Sequence, residues 1–201
     1  MSSERTRDAL VAALDPDPNP SPAPGDRLAA VLALLIEEPE PSLLFTERAR
    51  SLSRHAGEVS FPGGLADPED EDLAATALRE THEEIGIEPD TVDLLGALPA
   101  VHTFVSGVLV SPFVATVPTL PVLHVAPAEI DRVVTVPVRT LDRVEESREL
   151  HREGGRIWRG WWYETPDVTV WGATGFMVHA LLELMRRETP WLTPSRRRIE
   201  N

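Results

Sequence analysis

The stretch Phe61–Ile87, FPGGLADPEDEDLAATALRETHEEIGI, decides how the chain is read. The spacing predicts a helix over about Asp72–Ile85. Ala74, Leu78, Thr81 and Ile85 recur at intervals of four, three and four, which places them within about 60° of one another as a narrow buried stripe. Glu80, Glu83 and Glu84 stand at i, i+3 and i+4 and share a neighbouring arc of roughly 100° on the same two turns. Gly86 follows as the residue expected to end the helix in the left-handed conformation. Three carboxylates there repel one another and also face the negative end of the helix dipole. The local counter-charge is Arg79, four residues before Glu83. Such a cluster suits hard divalent cations, which prefer oxygen ligands on a rigid element. A solvated acidic face is the alternative. Gly63 and Gly64, just upstream, permit close approach of backbone to a ligand, or else mark a tight turn.

Around this segment the chain alternates short apolar runs with turns. Leu28–Ile36, Leu43–Thr46, Val59–Phe61, Val92–Leu98, Val105–Val117, Val133–Val138, Arg156–Tyr163 and Val168–Trp171 have the length and composition of strands. A second helix is predicted over about Ala173–Glu188. Many strands with two good helices imply an α/β fold, a mixed sheet with a helix packed on each face. Asp15–Asp26 (DPDPNPSPAPGD) carries five prolines on alternating positions and reads as an extended connector after a short amphipathic segment, Thr6–Leu14. The expected divisions are 1–26 for the N-terminal segment and linker, 27–190 for the domain, and 191–201 for a basic tail containing Arg196–Arg198.

Composition narrows the function classes. The chain has 201 residues and no cysteine, which removes disulfides, thiol nucleophiles, iron–sulfur clusters and cysteine-type zinc sites. Acidic residues number 33 against 19 basic ones, a net charge of −14 that argues against nucleic acid or an anionic membrane as partner. An anionic substrate must then be held by local arginines or by cations. The start lacks the apolar core of a signal peptide, and the longest apolar run is too short to span a bilayer. A cytoplasmic location is expected.

The same residues resemble the Nudix box, G-x5-E-x7-R-E-U-x-E-E-x-G-U, with U a bulky apolar residue. Glu71, Arg79-Glu80, Glu83-Glu84, Gly86 and Ile87 match. Leu65 stands where the first glycine falls, with Gly64 one residue early, and Thr81 takes the first U. Upstream, LLFTERARSLSRHAGEVSFPGG (Leu43–Gly64) looks like the additional motif of coenzyme A pyrophosphatases. Thr46, Arg48, Gly57 and Phe61-Pro62-Gly63-Gly64 are in register, whereas Ala49 replaces the motif's serine and Ser53, with Arg54 beside it, occupies its second arginine position. Asp70 and Val170–Thr174 also look like that subfamily, and the resemblance runs from Leu43 to about Leu182.

The resemblance implies a Nudix-type α/β/α sandwich with the box helix and a C-terminal helix on a mixed sheet. It implies hydrolysis of a nucleoside diphosphate derivative, with Glu80, Glu83 and Glu84 holding Mg²⁺ or Mn²⁺ and Arg79 orienting Glu83 or a loop carboxylate. Glu84 or Glu80 is the general base, with Glu129 as a loop candidate that also reads as a solvated turn residue. CoA or acyl-CoA is the implied substrate, giving 4′-phosphopantetheine and adenosine 3′,5′-bisphosphate. Gly63 and Gly64 would line the substrate, Arg48 and Arg54 would take the 3′-phosphate, and His55 could add a donor. Trp158, Trp161 and Trp162 are candidates for stacking on adenine, or for core or dimer packing. A homodimer is implied as possible. The alternatives are hydrolysis of ADP-ribose, NADH or a similar compound, and a catalytically silent binding module of the same fold.

Overall fold

Residues Arg27–Ile36 (RLAAVLALLI) form a strand that is apolar on both faces, and a strand of that kind is stable only when both faces are covered. The structure, a computed structural model, describes residues 3–51, 56–103, 107–151, 157–189 and 191–192. In chain order its elements are α1 (Ser3–Ala13), β1 (Arg27–Ile36), β2 (Ser42–Arg48), β3 (Val59–Ser60), β4 (Gly63–Leu65) and α2 (Leu73–Ile85). They continue as β5 (Asp93–Ala97), β6 (Val101–His102), β7 (Val108–Val117), β8 (Ile130–Pro137), α3 (Val138–Val144), β9 (Glu145–His151), β10 (Ile157–Glu164), β11 (Thr169–Val170) and α4 (Gly172–Glu188).

β1 runs parallel to β7 over its whole length, from Arg27 opposite Val108 to Ile36 opposite Val117. Its other edge pairs antiparallel with β4 in the first half and meets β2 at the end. β8 and β3 flank β2, while β5 and β6 flank β7, so the sheet is mixed as expected. Alternate residues of β1 feed two cores. Ala30, Leu32, Leu34 and Ile36 pack with Ala77 and Ile85 of α2, and Ala29, Ala33 and Leu35 belong to the core of α1 and α4. The α/β sandwich follows from that alternation.

The structure adds elements that the apolar pattern does not reveal. β9, EESRELH, is charged along its length and pairs antiparallel with β10 through matching registers from Glu145–Tyr163 to His151–Ile157. With β11 it makes a second, three-stranded sheet. α4 sits directly on β10 because Gly175 has no side chain: a Cβ there would come within 2.3 Å of the Trp161 carbonyl.

The N-terminal segment also packs more closely than its sequence division at residue 26 suggests. Leu10 is fully buried and Leu14 nearly so, in one core with α4. Asp15 exchanges two backbone hydrogen bonds with Ala97, Arg7 pairs with Asp93, and the Trp191 indole donates to Thr6 Oγ1 at 3.0 Å. Leu192 is buried in the same core, so residues on both sides of the 27–190 division share it. A proline-rich stretch says nothing about whether the helix before it docks. Of the tail, Arg196–Arg198 lies outside the described residues.

A buried polar cluster anchors α4. Glu145 accepts hydrogen bonds from Tyr163 Oη at 2.9 Å and Arg186 Nη2 at 2.9 Å, and lies 2.8 Å from His179 Nδ1. Arg186 also donates to Asp142, and His179 stacks flat on Trp161 with centroids 3.5 Å apart. Burial pushes the Glu145 carboxyl up, but His179, Arg186 and Tyr163 outweigh it and hold it down at about 2. A depressed carboxyl contributes stability above its unfolded value near 4.5, and that contribution is lost as pH falls from there toward 2.

Two outcomes follow. Leu10→Ala lowers unfolding free energy by about 2–4 kcal/mol in urea titrations, whereas a helix loosely tethered to the domain would show almost no change. Glu145→Gln costs about 3 kcal/mol at neutral pH because it removes the buried negative charge against which Arg186, His179 and Tyr163 are held. The gap to the parent then closes between about pH 4.5 and 2 in thermal melts.

Candidate active site

α2 begins and ends on residues whose side chains, or lack of them, do specific work. Asp72 caps the N-terminus by accepting from Ala75 N at 2.7 Å. Gly86 ends it with φ 73°, and its N–H returns to the His82 carbonyl at 2.8 Å. A side chain there would also strike His124 at 2.6 Å. The chain from His124 onward closes over this end: His124 N donates to Ile85 O and Ala126 N to Glu84 O, both at 2.9 Å. Backbone carbonyls left without helical partners are thereby satisfied, and the turn bearing Glu129 is brought beside the glutamates.

The buried side of α2 is broader than the predicted stripe. Thr81 and Ile85 are buried, Ala74 and Leu78 only partly, and Thr76, Ala77 and Glu84 join the buried set. The three glutamates are consequently graded. Glu84 is 3% exposed, Glu80 18% and Glu83 59%, a sequence that runs from the sheet outward to solvent.

Arg79 organises this arc. Its Nε and Nη2 donate to the two oxygens of Asp70 at 2.8 and 3.0 Å, and its Nη1 donates to Glu80 at 3.0 Å and Glu83 at 3.2 Å. Nη2 also reaches the Leu65 carbonyl at 3.3 Å. Arg79 thus hydrogen-bonds both Glu83 and a loop carboxylate, Asp70. Asp70 is itself held by Thr76 Oγ1 at 2.7 Å and Asp67 N at 2.9 Å. The forked hydrogen bond from Arg79, with these others, keeps its carboxyl well below the usual range. Glu71, the residue in register with the motif's first glutamate, is exposed and makes no ion pair among the described residues.

Glu84 faces the other way. Gly63 N donates to its Oε2 at 3.3 Å, and Arg48 Nη1 of β2 stands 3.8 Å from its Oε1. Burial pushes its carboxyl up to about 7, against the Gly63 hydrogen bond and Arg48, while Glu80 and Glu129 add like charge. Burial also raises Glu80. Glu129 is exposed, as a turn residue should be, yet lies near enough to act on both glutamates.

The two glycines are needed for reasons internal to the chain. At Gly63 (φ 148°) a Cβ would meet the Ala30 carbonyl at 2.3 Å, so only glycine lets β4 lie on β1 here. At Gly64 a Cβ would meet the Glu80 carboxylate at 2.4–2.6 Å. The close approach expected toward a ligand is thus made to β1 and to Glu80, and this places Gly63 and Gly64 around the glutamates. Arg54, together with Ser53 and His55, lies outside the described residues.

Among the described residues no three carboxylate or imidazole groups converge on one point. Arg79 holds Glu80 and Glu83, while Glu84 points to Gly63 and Arg48. The donor set still fits a divalent cation in kind: it is oxygen only, on adjoining helical turns, and Glu84 has a single long hydrogen bond and one guanidinium at 3.8 Å to offset its burial. Sequence reasoning missed two of these contacts. Asp70 as the partner of Arg79 was signalled only by its place in the resemblance, and nothing local points Arg48 at Glu84, because 35 residues of chain, two strands among them, intervene.

The chain was also compared with known proteins. The NUDIX domain profile matches residues 26–156. A protein of Cronobacter sakazakii named as an uncharacterized Nudix hydrolase, NudL, is 39% identical over 159 residues, covering 77% of this chain and 81% of its own. A Yersinia pestis protein of the same name is 39% identical over 163 residues, covering 79% of each. Among solved structures, a MutT/nudix family protein from Enterococcus faecalis superposes with a TM-score of 0.54 at 14% identity, over 94% of this chain and 77% of that one.

Asp70→Asn is expected to lower hydrolytic kcat at least tenfold with KM nearly unchanged, since Arg79 loses its charged anchor and releases Glu80 and Glu83. Glu71→Gln leaves both constants within twofold. Steady-state kinetics of the pair, with melting temperatures as the fold control, check it.

Proposed function

Because the chain belongs to the NUDIX domain family and is a Nudix hydrolase, we propose that it cleaves the diphosphate bond of CoA or acyl-CoA. The products are 4′-phosphopantetheine and adenosine 3′,5′-bisphosphate. The observation that carries the reading is the meeting of the two motifs at one carboxylate: Arg48 and Gly63 of the upstream motif both address Glu84 of the box. A substrate-recognition element and a hydrolytic element have to adjoin in this way if one is to deliver a diphosphate to the other.

Glu80, Glu83 and Glu84 are the residues that would hold Mg²⁺ or Mn²⁺, and such ions neutralise diphosphate oxygens and activate water. Arg79, anchored by Asp70, keeps two of these carboxylates in place between turnovers. Arg48 supplies a guanidinium fork beside Glu84, suited to a phosphate oxygen. Glu84 and Glu80, the most enclosed carboxylates, take the role of general base for the attacking water, with Glu129 on the adjoining turn as the third candidate. A cytoplasmic location and a homodimer belong to the same proposal. Among the described residues no helix is long and apolar enough to cross a membrane.

A specific feature favours a second reading. Ala49, in place of the upstream motif's serine, is almost fully buried and presents a methyl where a hydroxyl would stand. That loss points toward another nucleoside diphosphate derivative, such as ADP-ribose or NADH.

Purified protein incubated with Mg²⁺ or Mn²⁺ and CoA is expected to release adenosine 3′,5′-bisphosphate, identified by mass spectrometry. No product with either metal, alongside turnover of ADP-ribose or NADH, overturns the CoA assignment in favour of the second reading.

A further inference from the structure

Adjacent residues of β2 project to opposite faces of the sheet. Arg48 points to Glu84 on the side of α2, whereas Glu47 points to the other side, where it accepts from Arg132 Nε at 2.6 Å. There a cavity of about 330 Å³ opens between β2, β3 and the β10–β11 turn. Gly57 of the upstream motif lines it, as do Arg132, Asp167 and Trp171.

Trp171 is a large apolar side chain left 49% exposed at the mouth of α4. One face of its indole is covered: Trp162 stacks on it with rings 14° from parallel and centroids 6.4 Å apart. The guanidinium of Arg148 lies 5.2 Å from the Trp162 ring, and is itself paired with Glu146 and Glu164. The indole is therefore backed by an aromatic–cation stack, and Trp171 is among the residues that line the cavity. Trp161, by contrast, is taken up by the core and His179. The side chain of Trp158 lies outside the described residues. Among the described residues, Trp171 is the large aromatic that this fold leaves exposed.

We propose that this cavity is a nucleobase subsite, in which the base of a nucleotide stacks on Trp171. The chemistry of the walls selects that class of ligand. One wall carries the half-exposed indole of Trp171, stacked against Trp162, and an aromatic surface is one that every nucleobase complements. The others are largely polar, with Arg132 bound through Nη2 to the Asp167 carbonyl at 2.7 Å, and suit the hydrogen-bonding edge of a heterocycle. An aliphatic chain finds no apolar enclosure there. The wall acids Glu47 and Asp167 outnumber Arg132 and leave a net charge of −1, which fits an uncharged base better than a phosphate. The position deepens the proposed function and rests on it: the cavity and the carboxylates lie on opposite sides of one strand end, so a nucleoside diphosphate bridging them passes over Arg48 with its base on one side and its phosphates on the other.

The test uses the full chain, with AMP as the binding probe. In the parent protein, the indole N–H resonance that is lost in Trp171→Phe shifts on titration with AMP. For whichever nucleoside diphosphate the parent hydrolyses, Trp171→Ala raises KM about tenfold or more with kcat within twofold, and Trp171→Phe restores most of the loss, as stacking predicts. Absence of any AMP-induced shift at millimolar concentration, or a KM unmoved in Trp171→Ala, overturns the subsite. So does a change from dimer to monomer in that variant with KM unchanged, which would make the patch an interface between two copies. Failure of the parent to hydrolyse any nucleoside diphosphate refutes the proposed function alone, since AMP binding is read without turnover.

Discussion

Three glutamates within five residues at the C-terminal end of α2 repel one another and oppose the helix dipole, so the chain has to supply positive charge or accept a cation. It supplies positive charge in layers. Arg79 spans the outer pair, and Asp70 fixes Arg79 with two hydrogen bonds so that the guanidinium does not swing to whichever carboxylate is nearest. The inner carboxylate, Glu84, is left with weaker compensation from Gly63 and Arg48. A stability-driven design would exchange that buried acid for an apolar residue. Under the proposed function, that buried acid is the group kept for chemistry.

The rest of the fold is arranged to present this arc. β4 is pressed on β1 closely enough that only glycine fits at residue 63, and Gly64 leaves room for the Glu80 carboxylate. β1 is apolar on both faces, so α2 and α4 are held on opposite sides of it. The chain after His124 then closes the end of α2 with backbone hydrogen bonds and brings Glu129 alongside. Small residues and main-chain contacts set these distances, which makes the site rigid on one side. On the other, Glu83 is exposed and, among the described residues, held only by Arg79 Nη1 at 3.2 Å.

Much of this was legible in the residues themselves. The limits of α2 and α4 could be read to within a residue because caps and a 3.6-residue period mark them locally, and β1 and β7 announce themselves as long apolar runs. What lay hidden depends on distant chain. β9 carries no apolar alternation and is a strand only because β10 offers it an edge, and the docking of α1 through Leu10 cannot be seen from a helix followed by prolines. Within the site, the arc of Glu80, Glu83 and Glu84 follows from spacing, but spacing does not show that Asp70, nine residues before Arg79, outcompetes Glu71. Nor could it show that the glycine pair answers to Ala30 and Glu80, or that Trp171 is the exposed indole when its neighbours at 161 and 162 are covered.

The claim on which the chemistry turns is that the carboxylates of α2 bind divalent ions despite their ties to Arg79 and Arg48. Crystals of the protein soaked in Mn²⁺ and measured at the manganese absorption edge test it directly. An anomalous peak within coordination distance of Glu80 and Glu84, with Glu83 or a bound water completing the set, is the predicted result. A peak confined to other surface carboxylates, with Arg79 still bound to Glu80 and Glu83, would contradict it.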